Sequence, residues 1–192
     1  MRVPLLSVAL ALLAAPSLGA PIPKPIKRDN LLVNGSFEDG PANIGRFVSL
    51  NAGSKEIKGW VVTRAQIDLV ESHWEAADGK RSIDLHGSPG KGGISQTFGT
   101  KVGRTYVVTF SFAGNPEGAI EPKVLGVSAA GKETSFTFDV KGKTVKDLGW
   151  VKKTWKFKAV KDKTTLEFYT LTKGADESCG PVIDNVVVVG ED

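Results

Sequence analysis

The sequence predicts an all-β fold, a β-sandwich of the jelly-roll type, on three observations. Short stretches of alternating apolar and polar residues recur along the 192-residue chain, as in strands with one buried face. Turn signals that contain Gly, Pro or Asn separate these stretches. Val, Thr and Phe favour strands, and the 22 glycines suit many turns. Together these features predict a single domain of nine or ten short strands.

The N-terminal residues predict export from the cell. Arg2 precedes an apolar run at residues 5–15, and small residues follow up to Ala20, which is the layout of a secretory signal peptide. We therefore expect a signal peptide at 1–20, a Pro- and Lys-rich linker at 21–30 and the folded domain at 31–192. The apolar run is shorter than the about 20 residues of a membrane helix. An uncleaved anchor is the alternative, and we expect no membrane span in the mature chain.

The predicted strands lie between the turn signals. They cover residues 60–64, 67–70, 82–85, 94–98, 106–112, 136–140, 155–159, 166–170 and 182–189. The last of these is almost continuously apolar, which is typical of a central strand. A short piece of helix is predicted only near residues 71–77.

Charge and cysteine content exclude several classes of protein. The formal net charge is +4, a mild basic excess without a nucleic-acid-binding motif, so we expect no nucleic-acid partner. Cys179 is the only cysteine, which excludes an internal disulfide. A buried thiol is the preferred interpretation, and an intermolecular disulfide or the remnant of a lost pair are the alternatives. The chain has two histidines and lacks the common nucleophile, zinc-protease and P-loop motifs. We therefore expect no catalysis, although Asp68, Asp84 and Glu71 could supply a glycosidase with its two carboxylates.

Several side chains are suited to carbohydrate, whose rings stack on aromatic planes and whose hydroxyls need polar partners. Trp74 lies in a polar stretch and is the best candidate for an exposed platform, whereas Trp60 and Trp155 are predicted in the core. Trp150 fits either role.

Four polar residues fall in predicted strands and form a candidate groove. Asp84 and His86 flank Leu85 and so share a strand face, and Asp68 and Gln96 lie in two other predicted strands. If these strands are neighbours, the four side chains form a hydrogen-bonding groove. The alternative is a satisfied polar cluster on the solvated face of a sheet.

An ordered set of short motifs runs through the chain. It comprises LLVNGSFE at 31–38, GW at 59–60, AADG at 76–79, SIDL at 82–85, GGISQTF at 92–98 and CGPVIDNV at 179–186. This set resembles the domain-of-unknown-function-642 family and its bacterial relatives, the choice-of-anchor C proteins. The resemblance implies a galactose-binding-like jelly roll, secreted and associated with cell-wall or envelope polysaccharide, with no established catalytic residues.

The resemblance also implies a metal site. Related carbohydrate-binding modules hold a structural calcium ion with a Glu after the NG-x-F motif and an Asp in the last strand, and Glu38 and Asp184 occupy these positions. Calcium prefers carboxylate and carbonyl oxygens. The alternative is that Asp184 accepts backbone hydrogen bonds and Glu38 lies on the surface.

The expected function is therefore non-catalytic, extracellular binding of cell-wall or envelope polysaccharide. The expected binding residues are Trp74, Asp84, His86, Asp68 and Gln96. The alternative is a structural or adhesion domain that binds a protein partner, such as a wall-modifying enzyme.

Overall fold

The computed structural model describes residues 29–88, 90–118, 121–173 and 178–191. These residues form thirteen β-strands: β1 (Phe47–Asn51), β2 (Val61–Arg64), β3 (Gln66–Val70), β4 (Ser82–Asp84), β5 (His86–Gly87), β6 (Gly90–Lys91), β7 (Gly93–Gly99), β8 (Thr105–Gly114), β9 (Lys123–Ala129), β10 (Lys132–Phe138), β11 (Val151–Lys158), β12 (Lys163–Thr170) and β13 (Pro181–Gly190).

The described residues contain no helix, so none of them forms one that could span a membrane. The short helix predicted near residues 71–77 is wrong, because that segment is a series of bends. The predicted signal peptide at 1–20, and the linker up to residue 28, lie outside the described residues.

Two antiparallel sheets make up the sandwich. One has six strands in the order β1-β3-β4-β13-β8-β11, and the other has five in the order β10-β9-β12-β7-β2. A small third pairing joins β5 and β6. The all-β jelly-roll sandwich predicted from the sequence is thereby confirmed.

Aromatic side chains on facing strands fill the space between the two sheets. Phe110 of β8 meets Phe168 of β12 edge to face, with ring centroids 5.1 Å apart. Phe112 makes a similar contact with Phe138 of β10 at 5.6 Å. Trp60 is fully buried, as predicted, and packs on Phe37. Trp155 is only half-buried, because it lies on the edge strand β11 and packs against the rim of the core.

All nine predicted strands coincide with observed ones, but β1, β9 and the two-residue strands β5 and β6 escaped prediction. Strand β9 reads KVLGVSA and is buried on both faces for most of its length, so it shows no clean alternation. Strand β1 has only five residues, of which one is fully buried.

The first described residues lie beside the last strand, although they do not form a regular strand. The Leu31 amide donates to the Val188 carbonyl, and the Val186 amide donates to the Gly35 carbonyl. The Asn30 side chain bonds the backbone of β13 at Val186 and Val188.

The side chain of Gln96 holds this segment to the five-stranded sheet. Its Oε1 accepts the Val33 amide at 2.7 Å, and its Nε2 donates to the Val33 carbonyl at 2.8 Å. Gln96 is buried, so these bonds replace hydration that the Val33 backbone would otherwise need.

We expect Gln96→Ala to lower the free energy of unfolding by about 2 kcal/mol, because it leaves a part-buried N–H and C=O without partners. Urea denaturation followed by tryptophan fluorescence measures this change. Thr97→Ala is the matched control on the exposed face of the same strand and should change stability by less than about 0.5 kcal/mol. If Gln96→Ala lowered the free energy of unfolding as little as Thr97→Ala, the bonds between Gln96 and Val33 would not stabilise the fold.

Candidate functional site

Two aspartates lie directly opposite each other on the outer face of the six-stranded sheet. Asp68 of β3 pairs in register with Asp84 of β4. Their neighbours Ile67, Leu69 and Ile83 are fully buried and face the core, so the alternation of the strands turns both aspartates to the opposite face. The predicted closeness of Asp68 and Asp84 is therefore a consequence of strand register.

The two aspartates form the floor of a small cavity of about 120 Å³, here called the Asp68/Asp84 cavity. Three ring-bearing residues, Phe47, His73 and Trp74, contribute walls. The remaining polar lining comes from loops that pass over the sheet: Ser88, Asn115, Glu117 and Ser178.

Three donors hold the Asp84 carboxylate in place. The amides of His86 and Gly180 donate to Oδ1 at 2.9 and 3.0 Å, and Asn115 Nδ2 donates to Oδ2 at 2.8 Å. Complete burial nevertheless raises the pKa of the Asp84 carboxyl to about 7, and the charge of Asp68 adds to this rise. These three donors, two backbone amides and one Asn side chain, are neutral groups.

The Asp68 carboxylate accepts two hydroxyl groups. Ser49 Oγ, from the neighbouring strand β1, donates to Oδ1 at 2.6 Å, and Ser88 Oγ donates to Oδ2 at 3.3 Å. Burial raises the pKa of Asp68, and these hydrogen bonds lower it in part. The cavity floor therefore consists of two oriented, buried acceptor groups.

Trp74 lies in this cavity but differs from the exposed platform that was expected. It is 6% exposed, its Nε1 donates to Ser82 Oγ at 2.9 Å, and its ring packs at 4.9 Å from that of His73. The polar sequence around it suggested exposure, but the segment folds back over the sheet and buries the indole. Trp74 contributes an edge to the cavity wall, and its contact with a sugar stays a prediction.

His73 links the wall to the cavity mouth. Its Nε2 lies 2.6 Å from Glu117 Oε2, and its Nδ1 contacts the Arg46 guanidinium. Cys179 also borders the cavity and is buried, as predicted. Asn115 was interpreted as a turn residue before Pro116, and Ser88 and Glu117 were not predicted as site residues. Asn115 and Glu117 reach the cavity from a loop distant in sequence from Asp84.

His86 and Gln96 do not take the predicted positions. His86 is completely buried in β5, after the chain turns at Leu85, and is not among the residues that line the cavity. Gln96 lies in β7 of the other sheet, where it clamps Val33. The predicted groove of four polar side chains is therefore wrong, since only Asp68 and Asp84 of the four line the cavity.

Glu38 and Asp184 both bind the same irregular segment. Glu38 Oε1 accepts the amides of Lys80 and Arg81 at 2.8 and 2.9 Å. Asp184 Oδ2 accepts the Asp78 amide at 2.8 Å. Burial raises the pKa of Asp184 to about 7, against the lowering effect of these amide bonds.

Their role as calcium ligands stays a prediction. In the part of the chain that the structure describes, no three His, Cys, Asp or Glu side chains are grouped to hold a metal ion. Both side chains contact residues 78–81, and carboxylate oxygens are among the donors that calcium takes.

A second recess, the Trp150 groove, lies on the same sheet face and was not singled out from the sequence. It has a volume of about 410 Å³. Residues 75–77 form one wall, residues 145–148 and 150–152 form the other, and Ser111 lies between them. Trp150 is half-buried there, and its Nε1 donates to the Glu75 carbonyl at 3.0 Å.

The raised pKa of Asp84 predicts how stability depends on pH. Its folded pKa of about 7 exceeds the usual 3.8, so the folded state holds more protons than the unfolded state between these values. Stability is therefore expected to fall as pH rises through this window. The measurement is urea denaturation at several pH values, comparing the wild type with Asp84→Asn.

The loss of stability between pH 5 and pH 8 should be about 2 kcal/mol smaller in Asp84→Asn than in the wild type. Asp162→Asn removes an exposed carboxylate and serves as the control, with an unchanged pH profile. Parallel pH profiles for the wild type and Asp84→Asn would show that Asp84 ionises normally.

Comparison with known proteins shows that this chain is similar to parts of larger proteins. The sequence is 33% identical over 169 residues to halomucin of Haloquadratum walsbyi, covering 85% of this chain and 2% of halomucin. It is 28% identical over 182 residues to the Arabidopsis thaliana protein DUF642 L-galactono-1,4-lactone-responsive gene 2, covering 87% of this chain. The chain spans 47% of that Arabidopsis protein.

Two solved structures share the fold at low sequence identity. A family 16 carbohydrate-binding module superposes with a TM-score of 0.50 at 17% identity, covering 83% of this chain and 99% of the module. An arabinose-bound GH51 α-L-arabinofuranosidase gives a TM-score of 0.53 at 14% identity, covering 84% of this chain and 26% of the enzyme. Both likenesses show the fold alone.

The sequence profile of one family matches residues 30–189, which is nearly all of the folded domain. The chain therefore belongs to the family described as protein of unknown function (DUF642).

Proposed function

We propose that this protein is a non-catalytic carbohydrate-binding domain that acts outside the cell on wall or envelope polysaccharide. The observation that carries the proposal is the Asp68/Asp84 cavity, where buried carboxylates and an amide adjoin ring-bearing side chains. Sugar hydroxyls need such acceptors and donors, and sugar faces pack on rings. Structures of the same fold include a carbohydrate-binding module, which supports this assignment.

The size of the cavity suggests which part of a polysaccharide it takes. Its volume of about 120 Å³ is well below the about 300–1,000 Å³ of pockets that enclose a small molecule. The cavity therefore suits one edge or terminal group of a sugar, with the rest of the chain outside. It is too small to place a sugar on each side of a bond to be cleaved, which supports binding without hydrolysis.

The extracellular location follows from the predicted signal peptide at residues 1–20. The association with a wall-modifying enzyme is a further prediction, made for the case in which the ligand is a protein. A binding survey with polysaccharides separates these alternatives.

The first test is retention of the purified protein on a panel of soluble and insoluble neutral polysaccharides. We expect Asp68→Asn to weaken retention about tenfold, since it removes a charged acceptor of nearly the same shape. Asp139→Asn changes an exposed carboxylate that does not line the cavity and is the charge-matched control. Thermal melting of each variant checks that it is folded.

Two outcomes would contradict this assignment. Equal retention of Asp68→Asn and the wild type would remove the cavity as the binding site. No retention of the wild type on any polysaccharide would favour the protein-partner alternative.

The predicted calcium ion has its own test. We expect calcium to raise the melting temperature above that in chelator, by several degrees, because a ligand that binds only the folded state stabilises it. Glu38→Gln should abolish the difference, while Glu56→Gln, an exposed control, should preserve it. Identical melting in calcium and chelator would leave Glu38 and Asp184 as acceptors of backbone amides only.

A further inference from the structure

The Trp150 groove combines an aromatic ring with lysine side chains. Lys146 and Lys152 both line it, and Trp150 lies between them in sequence. The Lys143 ammonium lies where a Cβ on Gly149 would be, at the turn that leads into Trp150. Three lysines therefore surround the turn that carries the half-buried indole.

The net positive charge of the chain comes from the stretch of sequence that includes the groove lysines. Residues 139–158 contain seven lysines and two aspartates, a net charge of +5. The whole chain has a net charge of +4, so the remaining 172 residues together carry −1. The mild basic excess of the chain thus belongs to one stretch of sequence.

Strand register extends the positive charge along the sheet. Lys152, Lys156 and Lys158 pair with Ser111, Val107 and Thr105 of β8, which alternate with the core-facing Phe110 and Val108. The three lysines therefore project from the outer face, on the side of the Trp150 groove. From Lys152 to Lys158 the row is about 20 Å long. Lys153 faces the other way, over the Phe136 ring.

Acidic groups neutralise this surface only in part. Lys156 pairs with Glu191. Asp147 lines the groove, and its Oδ1 accepts the Gly149 amide. Glu75 lines the opposite wall. Lys146 and Lys152 form no salt bridge with any of the described residues.

We propose that the Trp150 groove and the lysine row form a second binding surface, whose ligand is an anionic glycan bearing carboxylate or sulfate groups. The groove accepts a sugar ring beside Trp150, and Lys146 and Lys152 bind the acidic substituents. Lys156 and Lys158 follow the chain as it leaves the groove. A glycan is favoured over other polyanions because the recess offers a ring surface as well as charge.

This inference adds a ligand class and a site to the proposed function and does not depend on the Asp68/Asp84 cavity. The two sites share no lining residue: the cavity is lined by His73 and Trp74, and the groove by residues 75–77 of the same segment. A variant of the cavity floor should lose neutral polysaccharide and keep the anionic glycan. Lysine variants should do the reverse, so failure of one proposal is distinguishable from failure of the other.

The experiment is affinity electrophoresis of the full chain in gels that contain alginate, dextran sulfate or neutral dextran. We expect Lys146→Gln/Lys152→Gln to weaken the affinity for alginate or dextran sulfate by about fivefold or more at low salt. Lys55→Gln/Lys132→Gln makes the same change of net charge at two exposed positions elsewhere and should have less than about a twofold effect. Retention by one anionic polymer and not the other identifies the acidic group.

The same variants distinguish glycan binding from a second possible role of these lysines, the protection of the edge strand β11. Edge strands often carry lysine to prevent pairing with other chains. If that is the only role here, the Lys146→Gln/Lys152→Gln variant will self-associate in sedimentation while its glycan affinity stays at the wild-type value, which would overturn the proposal. An equal loss in both double variants would also overturn it, since net charge alone would then explain retention.

Discussion

The attachment of one irregular segment, residues 71–81, to the outer face of the six-stranded sheet is the constraint on which both recesses depend. Buried or part-buried carboxylates make this attachment: Asp184 accepts the Asp78 amide, and Glu38 accepts the amides of Lys80 and Arg81. Trp74 adds a bond to Ser82 in β4. The segment has no strand partner of its own, so these side chains satisfy backbone groups that a sheet would otherwise satisfy.

This attachment explains why three aspartate side chains are buried on one face of the six-stranded sheet. Asp68, Asp84 and Asp184 project from β3, β4 and β13 beneath the loops, where water no longer hydrates their charges. Burial raises the pKa of all three, which shows that the amide and hydroxyl donors offset desolvation only in part. Two of them pair across strands at the cavity floor, so positioning the loops and forming a polar site are consequences of the same buried groups.

The sequence predicted the candidate site only in part, because alternation indicates which face of a strand a residue occupies but not which strands are neighbours. Alternation placed Asp68 and Asp84 on like faces of two strands, and their register then joined them. Gln96 occupied an equally suitable position, but β7 joined the other sheet, and strand order is a matter of long-range pairing. Trp74 lies beside the aspartates but is buried rather than exposed, because the surrounding polar residues reach solvent while the indole turns inward.

The sequence by itself determined the all-β class, the positions of most strands, the family and the burial of Cys179, because these depend on local alternation, turn residues and ordered motifs. Only the tertiary structure decided which polar residues share a cavity and which lysines lie on the face that holds the Trp150 groove. Loops brought Asn115 and Glu117 to Asp84, and antiparallel register turned Lys152, Lys156 and Lys158 to the face that holds the Trp150 groove. Such neighbours are set by contacts between residues far apart in the chain, which periodicity does not encode.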